Sequence, residues 1–350
     1  LSIDYGGGDQ IRFERVGRAG VVTLTRPKSL NALTHTMVKA LSRALADWEG
    51  DSDIAVVVLR AEGRAFCAGG DILHVYEARQ RGGLAVDFFA DEYRLNAQIA
   101  RFTKPYVALM DGLVMGGGVG IACHGSYRVM TENAVFAMPE VGIGFFPDVG
   151  GSHLLPDLGE NFGLYLGLTG SRIRYGDALW SGIATHTVKS ELLPGLFQHL
   201  SESGDPDLAL RAAFSPAQRE TAGSALRAIA GYFSKRSVKN IVDNLRAAAV
   251  GGDEQAAGIL ATMAAKSPTS LAVTFKSITR GSTMSMDDCM RMEFRILNRM
   301  VRGHDFYEGI RAALVDRDSA PKWSPATLEE LSEDDIEAYF APPPDGDLTF

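Results

Sequence analysis

Apolar residues along this chain follow two rhythms, and each rhythm predicts its own kind of element. Residues 11–16 and 21–25 alternate apolar and polar side chains on either side of a glycine-bounded turn, which predicts a β-hairpin. Met37, Val38, Leu41, Leu45 and Trp48 recur at three- and four-residue steps, so residues 34–48 are expected to form a helix with Thr34 as its N-cap. Residues 54–59 and 106–110 are unbroken apolar runs of strand length, the pattern of strands covered on both faces. Between them a helical stretch over roughly 84–102 carries Glu92. Residues 127–130 and 134–138 read as short strands. This β–α–β–β–α order runs to about Val188 and predicts an α/β fold. Beyond it the strand signal stops, and residues 208–246, 254–265 and 285–300 carry helical stripes. The expected organisation is a strand-bearing core over 1–195 and a helical C-terminal region over 196–350 that packs on it. The proline-rich tail 341–350 is expected to be an exposed strap.

Composition narrows the partners. The 350 residues suffice for a substantial core in one or two domains. A formal net charge of −8 weighs against a nucleic-acid partner. No apolar run approaches the ~18 residues of a membrane helix, and no cationic start leads into an apolar stretch, so neither a membrane span nor a secretory signal is expected. Cys67, Cys123 and Cys289 are widely spaced and odd in number, with no CxxC pair. A reducing, cytoplasmic setting is expected on that ground.

One stretch departs from this ordinary background. Gly116, Gly117 and Gly118 follow the apolar strand at 106–110, where a turn is expected to open a helix running through Cys123. Two carboxylates come after, Glu140 and Asp148, each beside a proline and close to glycines. Glycine admits a ligand to bare backbone N–H groups, and a helix start turns those groups toward negative charge. Such donors, with carboxylates nearby, suit chemistry in which a carbonyl oxygen becomes an oxyanion. Other candidates have plainer readings. Asp71 is expected to cap a helix and hold the Gly70 amide in place. His124 and His153 read as packing residues, and Cys67 and Cys123 as small buried apolar groups. Histidine spacing offers no metal site, and the chain has no GxSxG elbow, Walker loop or GxGxxG fingerprint. No metal or redox cofactor is expected.

Three motifs in order, FCAGGDI at 66–72, YVALMDGLVMGGGVGIA at 106–122 and FAMPEVGIGFFPDVGG at 136–151, resemble the crotonase superfamily of enoyl-CoA hydratases and isomerases. RPKSLNAL at 26–33 is similar to that family's N-terminal signature. DEYRLN at 91–96, SPTSLAVTFK at 267–276 and the segment 299–328 resemble its 3-hydroxyisobutyryl-CoA hydrolase branch. The resemblance implies a crotonase-like spiral of ββα units with a helical C-terminal region, and an acyl-CoA thioester substrate. It implies an oxyanion hole made by the amides of Gly70 and Gly117, with Gly116 beside it. Glu140 matches the family carboxylate of MPE, Asp148 the aspartate of FPDVGG, and Glu92 an acidic substrate contact. Phe145 and Phe146 are expected to line an apolar wall, in the core or in the acyl pocket.

Two positions depart from the family pattern. Hydratases carry a second glutamate where this chain has Gly120, and hydration needs water held between two carboxylates. Gly120 therefore counts against a hydratase and leaves room for a bulkier or hydroxylated acyl group. Leu73 stands where many members carry lysine, so the CoA phosphates are expected to find another cation, with Lys28 and Lys276 as candidates. The implied activity is hydrolysis of a short 3-hydroxyacyl-CoA, 3-hydroxyisobutyryl-CoA foremost, a step in valine breakdown. Coenzyme A is then part of the substrate rather than a cofactor. The alternatives are an enoyl-CoA isomerase or hydratase, and a non-catalytic CoA-binding protein. The resemblance also implies a homo-oligomer, a trimer or a multiple of one.

Overall fold

A computed structural model describes residues 2–350. It contains eleven strands: β1 (Ser2–Ile3), β2 (Ile11–Val16), β3 (Ala19–Leu24), β4 (Val56–Ala61), β5 (Ala65–Cys67), β6 (Tyr106–Met110), β7 (Leu113–Met115), β8 (Tyr127–Met130), β9 (Val135–Ala137), β10 (Ile173–Arg174) and β11 (His186–Thr187). They form a seven-stranded sheet in the order β1-β2-β3-β4-β6-β8-β11 and a four-stranded sheet in the order β10-β9-β7-β5. The predicted hairpin is β2 and β3, antiparallel from Ile11 opposite Leu24 to Val16 opposite Ala19. From β3 onward the large sheet is parallel, with β3 on β4, β4 on β6 and β6 on β8. Parallel neighbours need crossovers, and helices covering both faces leave little polar surface on the strands. That is why β3 and β6 are buried along their whole length.

The chain divides differently from a single cut at 195. One compact unit holds the chain up to Asp71, Asp91–Ala137 and Arg172–Glu220, and includes both sheets. The other holds Ile72–Ala90, Met138–Ser171 and Thr221–Phe350. Two segments therefore leave the strand-bearing unit, after Asp71 and after Ala137, and gather with the C-terminal helices. The helices Leu193–Ser203 and Pro206–Ala213 remain with the strands. Their apolar stripe, Leu196, Leu200, Ala209 and Leu210, closes one core with Val21, Val56, Val58, Val107, Leu109 and Val129. This burial moves the boundary past the end of the strand signal, to Glu220.

Thr34 caps the helix His35–Gly50, accepting from Met37 N at 3.2 Å. The helical stretch expected over 208–246 is three helices, Pro206–Ala213, Gly223–Phe233 and Val238–Val250. Pro216 lies in the first break, and Ser237 caps the start of the third helix. Ser285 caps the regular helix Met286–Met300. Just before the strap, Arg280 Nη2 donates to both oxygens of Glu337 at 2.6 and 2.9 Å, and Lys276 pairs with Glu333 and Glu337. The strap 341–350 is mostly exposed, as expected, and is tied down where Arg295 forks onto Asp347 at 2.8 and 2.6 Å. Leu348 is buried beyond that pair. Among the described residues no helix is long and apolar enough to cross a membrane.

Leu200 has no exposed surface and stands at the centre of the core that joins sheet and helix. Leu200→Ala is expected to cost about 2–5 kcal/mol of stability. Urea unfolding followed by circular dichroism reads this as a lowered midpoint.

Candidate active site

In the strand-bearing unit the RPKSLNAL loop clasps the CAGGD loop. Asn31 is wholly buried, with a positive φ of 55°. Its Oδ1 accepts from Arg26 N at 2.8 Å, and its Nδ2 donates to the carbonyls of Glu62 and Ala65, each at 2.8 Å. Leu33 N donates to Gly69 O at 2.9 Å and Asp71 N donates to Leu33 O at 2.8 Å, which makes a one-residue parallel bridge between Leu33 and Gly70. In such a bridge the residues flanking Gly70 make the bonds, so the Gly70 N–H faces away from Leu33. Arg26 pairs with Asp71 at 3.0 Å and closes the loop from its far end. Asp71, expected as a helix cap, stands directly before the helix Ile72–Gln80 and is also the partner of a guanidinium.

The second amide comes from a helix start. β7 ends at Met115, and Gly116 turns the chain with φ 49° and ψ −122° into the helix Gly117–Ala122. Val119 N and Gly120 N already bond Gly116 O, while the first amide of a helix has no acceptor inside it. A Cβ on Gly117 would stand 3.3 Å from Gly70 N, 3.1 Å from Leu33 Cδ1 and 2.6 Å from Glu92 Oε1. A side chain there would force Glu92 aside and press on Leu33 and the Gly70 loop. The same distances bring Gly70, Gly117 and Glu92 together in one place. Glu92 reaches it from the helix Val86–Arg101 and is 2 % exposed.

The helical unit holds the other two carboxylates. Glu140 is the first residue of a 3-10 turn, Glu140–Ile143, and is 6 % exposed. Phe145 N donates back to Glu140 O at 3.1 Å. Gly144 closes the turn with φ 69°, and a Cβ there would stand 2.1 Å from Asp305 O. Phe145 stacks on Phe306 with ring centres 4.4 Å apart and touches Phe89 and Phe146. It is an aromatic brace as much as a wall. Asp305 in turn accepts from Ser267 Oγ at 2.7 Å, so the turn at Glu140 is braced against the start of the helix Pro268–Gly281. Lys266, which the sequence reading passed over, lies 3.4 Å from where a Cβ on Gly142 would stand. Burial lowers its pKa.

Asp148 is 4 % exposed and precedes two residues with positive φ, Val149 at 49° and Gly150 at 85°. Gly151 N closes the turn on Asp148 O at 2.8 Å. The sequence reading also missed what holds this turn. Glu293, from the helix Met286–Met300, accepts from Gly150 N at 3.0 Å, Ser152 N at 3.0 Å and Ser152 Oγ at 2.6 Å. It has no exposed surface. Burial pushes its carboxyl up to about 8, the Ser152 hydroxyl opposing and the charge of Asp148 adding to the rise. The signal was present: Glu293 occupies the apolar stripe of that helix, in line with Met286, Cys289, Met290, Ile296, Leu297 and Met300. Of the proposed phosphate contacts, Lys28 is exposed and Lys276 is already engaged by two glutamates.

A model of the enoyl-CoA hydratase/isomerase family matches residues 19–340. The chain belongs to that family. The α/β fold expected from the motifs agrees with two solved structures. A carnitinyl-CoA dehydratase from Mycobacterium thermoresistibile superposes with a TM-score of 0.90 at 42 % identity, covering 98 % of this chain and 99 % of that one. An enoyl-CoA hydratase from Rhodobacter sphaeroides 2.4.1 gives 0.90 at 37 % identity, covering 97 % and 100 %. Among curated relatives, a mitochondrial 3-hydroxyisobutyryl-CoA hydrolase from Danio rerio is 43 % identical over 97 % of this chain and 92 % of its own length. The Xenopus tropicalis enzyme of that name is 44 % identical over 95 % and 89 %, and the Homo sapiens one 40 % over 98 % and 91 %. These names overturn the cytoplasmic expectation, since the relatives are mitochondrial enzymes. The absence of disulfide pairs spoke only to a reducing compartment and carried no address.

Gly117→Ala would drive a methyl group against Glu92 and the Gly70 amide. Turnover of an acyl-CoA substrate is expected to fall by about 10²–10³-fold, the loss typical of a spoiled oxyanion donor. Steady-state kinetics beside an unchanged far-UV spectrum checks this. Glu293 predicts a pH effect as well. Its folded-state value of about 8 lies above the ordinary 4.5, so the folded protein binds the extra proton between those values. Stability from this group is present below about 4.5 and is lost as pH rises through about 8. Glu293→Gln is expected to flatten the fall of Tm across that window, measured by calorimetry from pH 5 to 8.5.

Proposed function

We propose that this chain hydrolyses 3-hydroxyisobutyryl-CoA to 3-hydroxyisobutyrate and coenzyme A. The observation that carries the reading is the shared name of the relatives at 40–44 % identity over nearly the whole chain. The adjacency of Gly70 N and Gly117 supports it, because thioester cleavage passes through an oxyanion. In this reading the two amides take the thioester oxygen as it gains charge. Glu140 drives the attack, either as general base on a water or as the nucleophile of a mixed anhydride that water then opens. The thiolate leaves readily, so no strong acid is needed at sulfur. Asp148 orients Glu140, the water or the substrate, and Glu92, beside Gly117, receives the 3-hydroxyl. Coenzyme A enters as part of the substrate, and the route uses no metal or redox group. The reaction belongs to valine breakdown, and the enzyme acts as a homo-oligomer of trimeric type.

A second reading, hydration or dehydration of an enoyl-CoA, is favoured by the names of the two solved structures. Gly120 opposes it, since it supplies no second carboxylate to hold water, and it lies buried inside a helix. Incubation with 3-hydroxyisobutyryl-CoA and a thiol reagent separates the two. Hydrolysis releases free thiol; a change in enoyl absorbance without thiol supports the rival. Glu140→Gln is expected to lower kcat by about 10²–10⁴-fold while CoA affinity, read by calorimetry, stays within about threefold of native. Equal rates for both forms would remove Glu140 from the mechanism.

A further inference from the structure

We infer that Glu293 is a positioning residue for the reaction: its carboxyl group fixes the turn 148–152 and so sets where Asp148 acts. The inference rests on the hydrolase reading, with Asp148 in the site. Its three bonds all land on one short segment, two and four residues beyond Asp148. That segment is not self-supporting. Val149 is β-branched and stands at φ 49°, a conformation such residues adopt only when their surroundings impose it. Gly150 follows in the same region of conformational space, so the chain reverses within four residues and closes on Asp148 O. Helix Met286–Met300 contributes the restraint from more than 140 positions away in sequence.

Stability alone does not call for a carboxyl group here. Glu293 interrupts an otherwise apolar stripe, and taking a carboxyl out of water is unfavourable unless its partners repay it. An aliphatic side chain at 293 would pack the same stripe without that cost. What it could not do is accept from Gly150 N and Ser152 N together, one on each oxygen. The spacing of the two carboxyl oxygens matches the separation of those two amides. Ser152 Oγ adds a third bond that keeps Oε1 from swinging away. Asp148 is thereby anchored through the main chain on its C-terminal side, leaving its side chain for other work.

Two variants test this. Glu293→Gln keeps size and packing but puts an NH2 group opposite one of the two amides, where a donor meets a donor. Ser152→Ala keeps both amide bonds and loses only the hydroxyl. With 3-hydroxyisobutyryl-CoA, kcat per CoA-binding site is expected to fall roughly 10- to 100-fold in Glu293→Gln, the loss that follows a misplacement on the order of 1 Å. KM is expected to stay within about threefold. Ser152→Ala should fall by less, about two- to fivefold. Hydrogen exchange is read alongside, since it does not depend on the substrate: a peptide covering 148–152 should exchange faster in Glu293→Gln than in the native protein. If kcat per site is unchanged in both variants while the native protein turns over, Glu293 is structural only and the inference fails. If Glu293→Gln does not fold, Ser152→Ala decides by the same criterion. If the native protein does not release thiol at all, the hydrolase reading fails, and faster exchange at 148–152 still reports whether Glu293 holds the turn.

Discussion

One geometric constraint shapes the strand-bearing unit: main-chain N–H groups left out of the fold's own ladder where two glycine loops meet. A helix start always leaves its first amides without an internal acceptor, and the start at Gly117 is no exception. The Gly70 amide is kept out of the bridge to Leu33 by the register of a single pair of residues. Both conditions are geometric, and both fail if a side chain is added where the two loops meet. The absence of a Cβ at Gly117 is therefore a constraint on the whole strand-bearing unit. β5 and β7 must stay paired so that the segments that follow them arrive side by side. Asn31 and Arg26 hold the third loop against them from the polar side.

The helical unit solves a different problem. Carboxylates that are to work must be partly withdrawn from water, yet the turns that carry them are short and rich in glycine. Each turn borrows rigidity from a C-terminal helix. Asp305 and Phe306 brace the Glu140 turn through the close approach at Gly144 and the stack on Phe145. Glu293 braces the Asp148 turn through its main-chain bonds. Lys276 and Arg280, on the helix Pro268–Gly281 whose first residues meet Asp305 through Ser267, pair with Glu333 and Glu337. Exposed pairs of this kind contribute little each, but a cluster on one helix restrains it. A helical region that the periodicity marks as packing is thus also the mounting for the two acids.

Much of this was legible before any coordinates. The hairpin, the buried strands, the Thr34 cap, the periodic helix at 285–300 and the helix opening at the triglycine all follow from local spacing, because period, cap chemistry and glycine content act within a few residues. The same local signals, joined to the motif order, pointed to Gly70, Gly117, Glu92, Glu140 and Asp148. Where the reading stopped short, the cause was long-range. The boundary at Glu220 depends on which surface the Leu196 and Leu210 stripes cover, and a stripe does not say against what it packs. Asp71 stands directly before the helix Ile72–Gln80, as its neighbours in sequence suggested, but its ion pair with Arg26, 45 residues earlier, is not legible from them.

By itself, then, the chain determined most of its elements and its family, since those rest on interactions between near neighbours and on motif order. Tertiary structure alone decided that Glu92 lies against Gly117, that Phe145 is a brace, and that a glutamate in an apolar stripe grips the turn after Asp148. Those facts depend on contacts between residues tens to more than a hundred positions apart. Hydrophobic periodicity carries no record of such pairings, because it reports that a face is buried and not what meets it there.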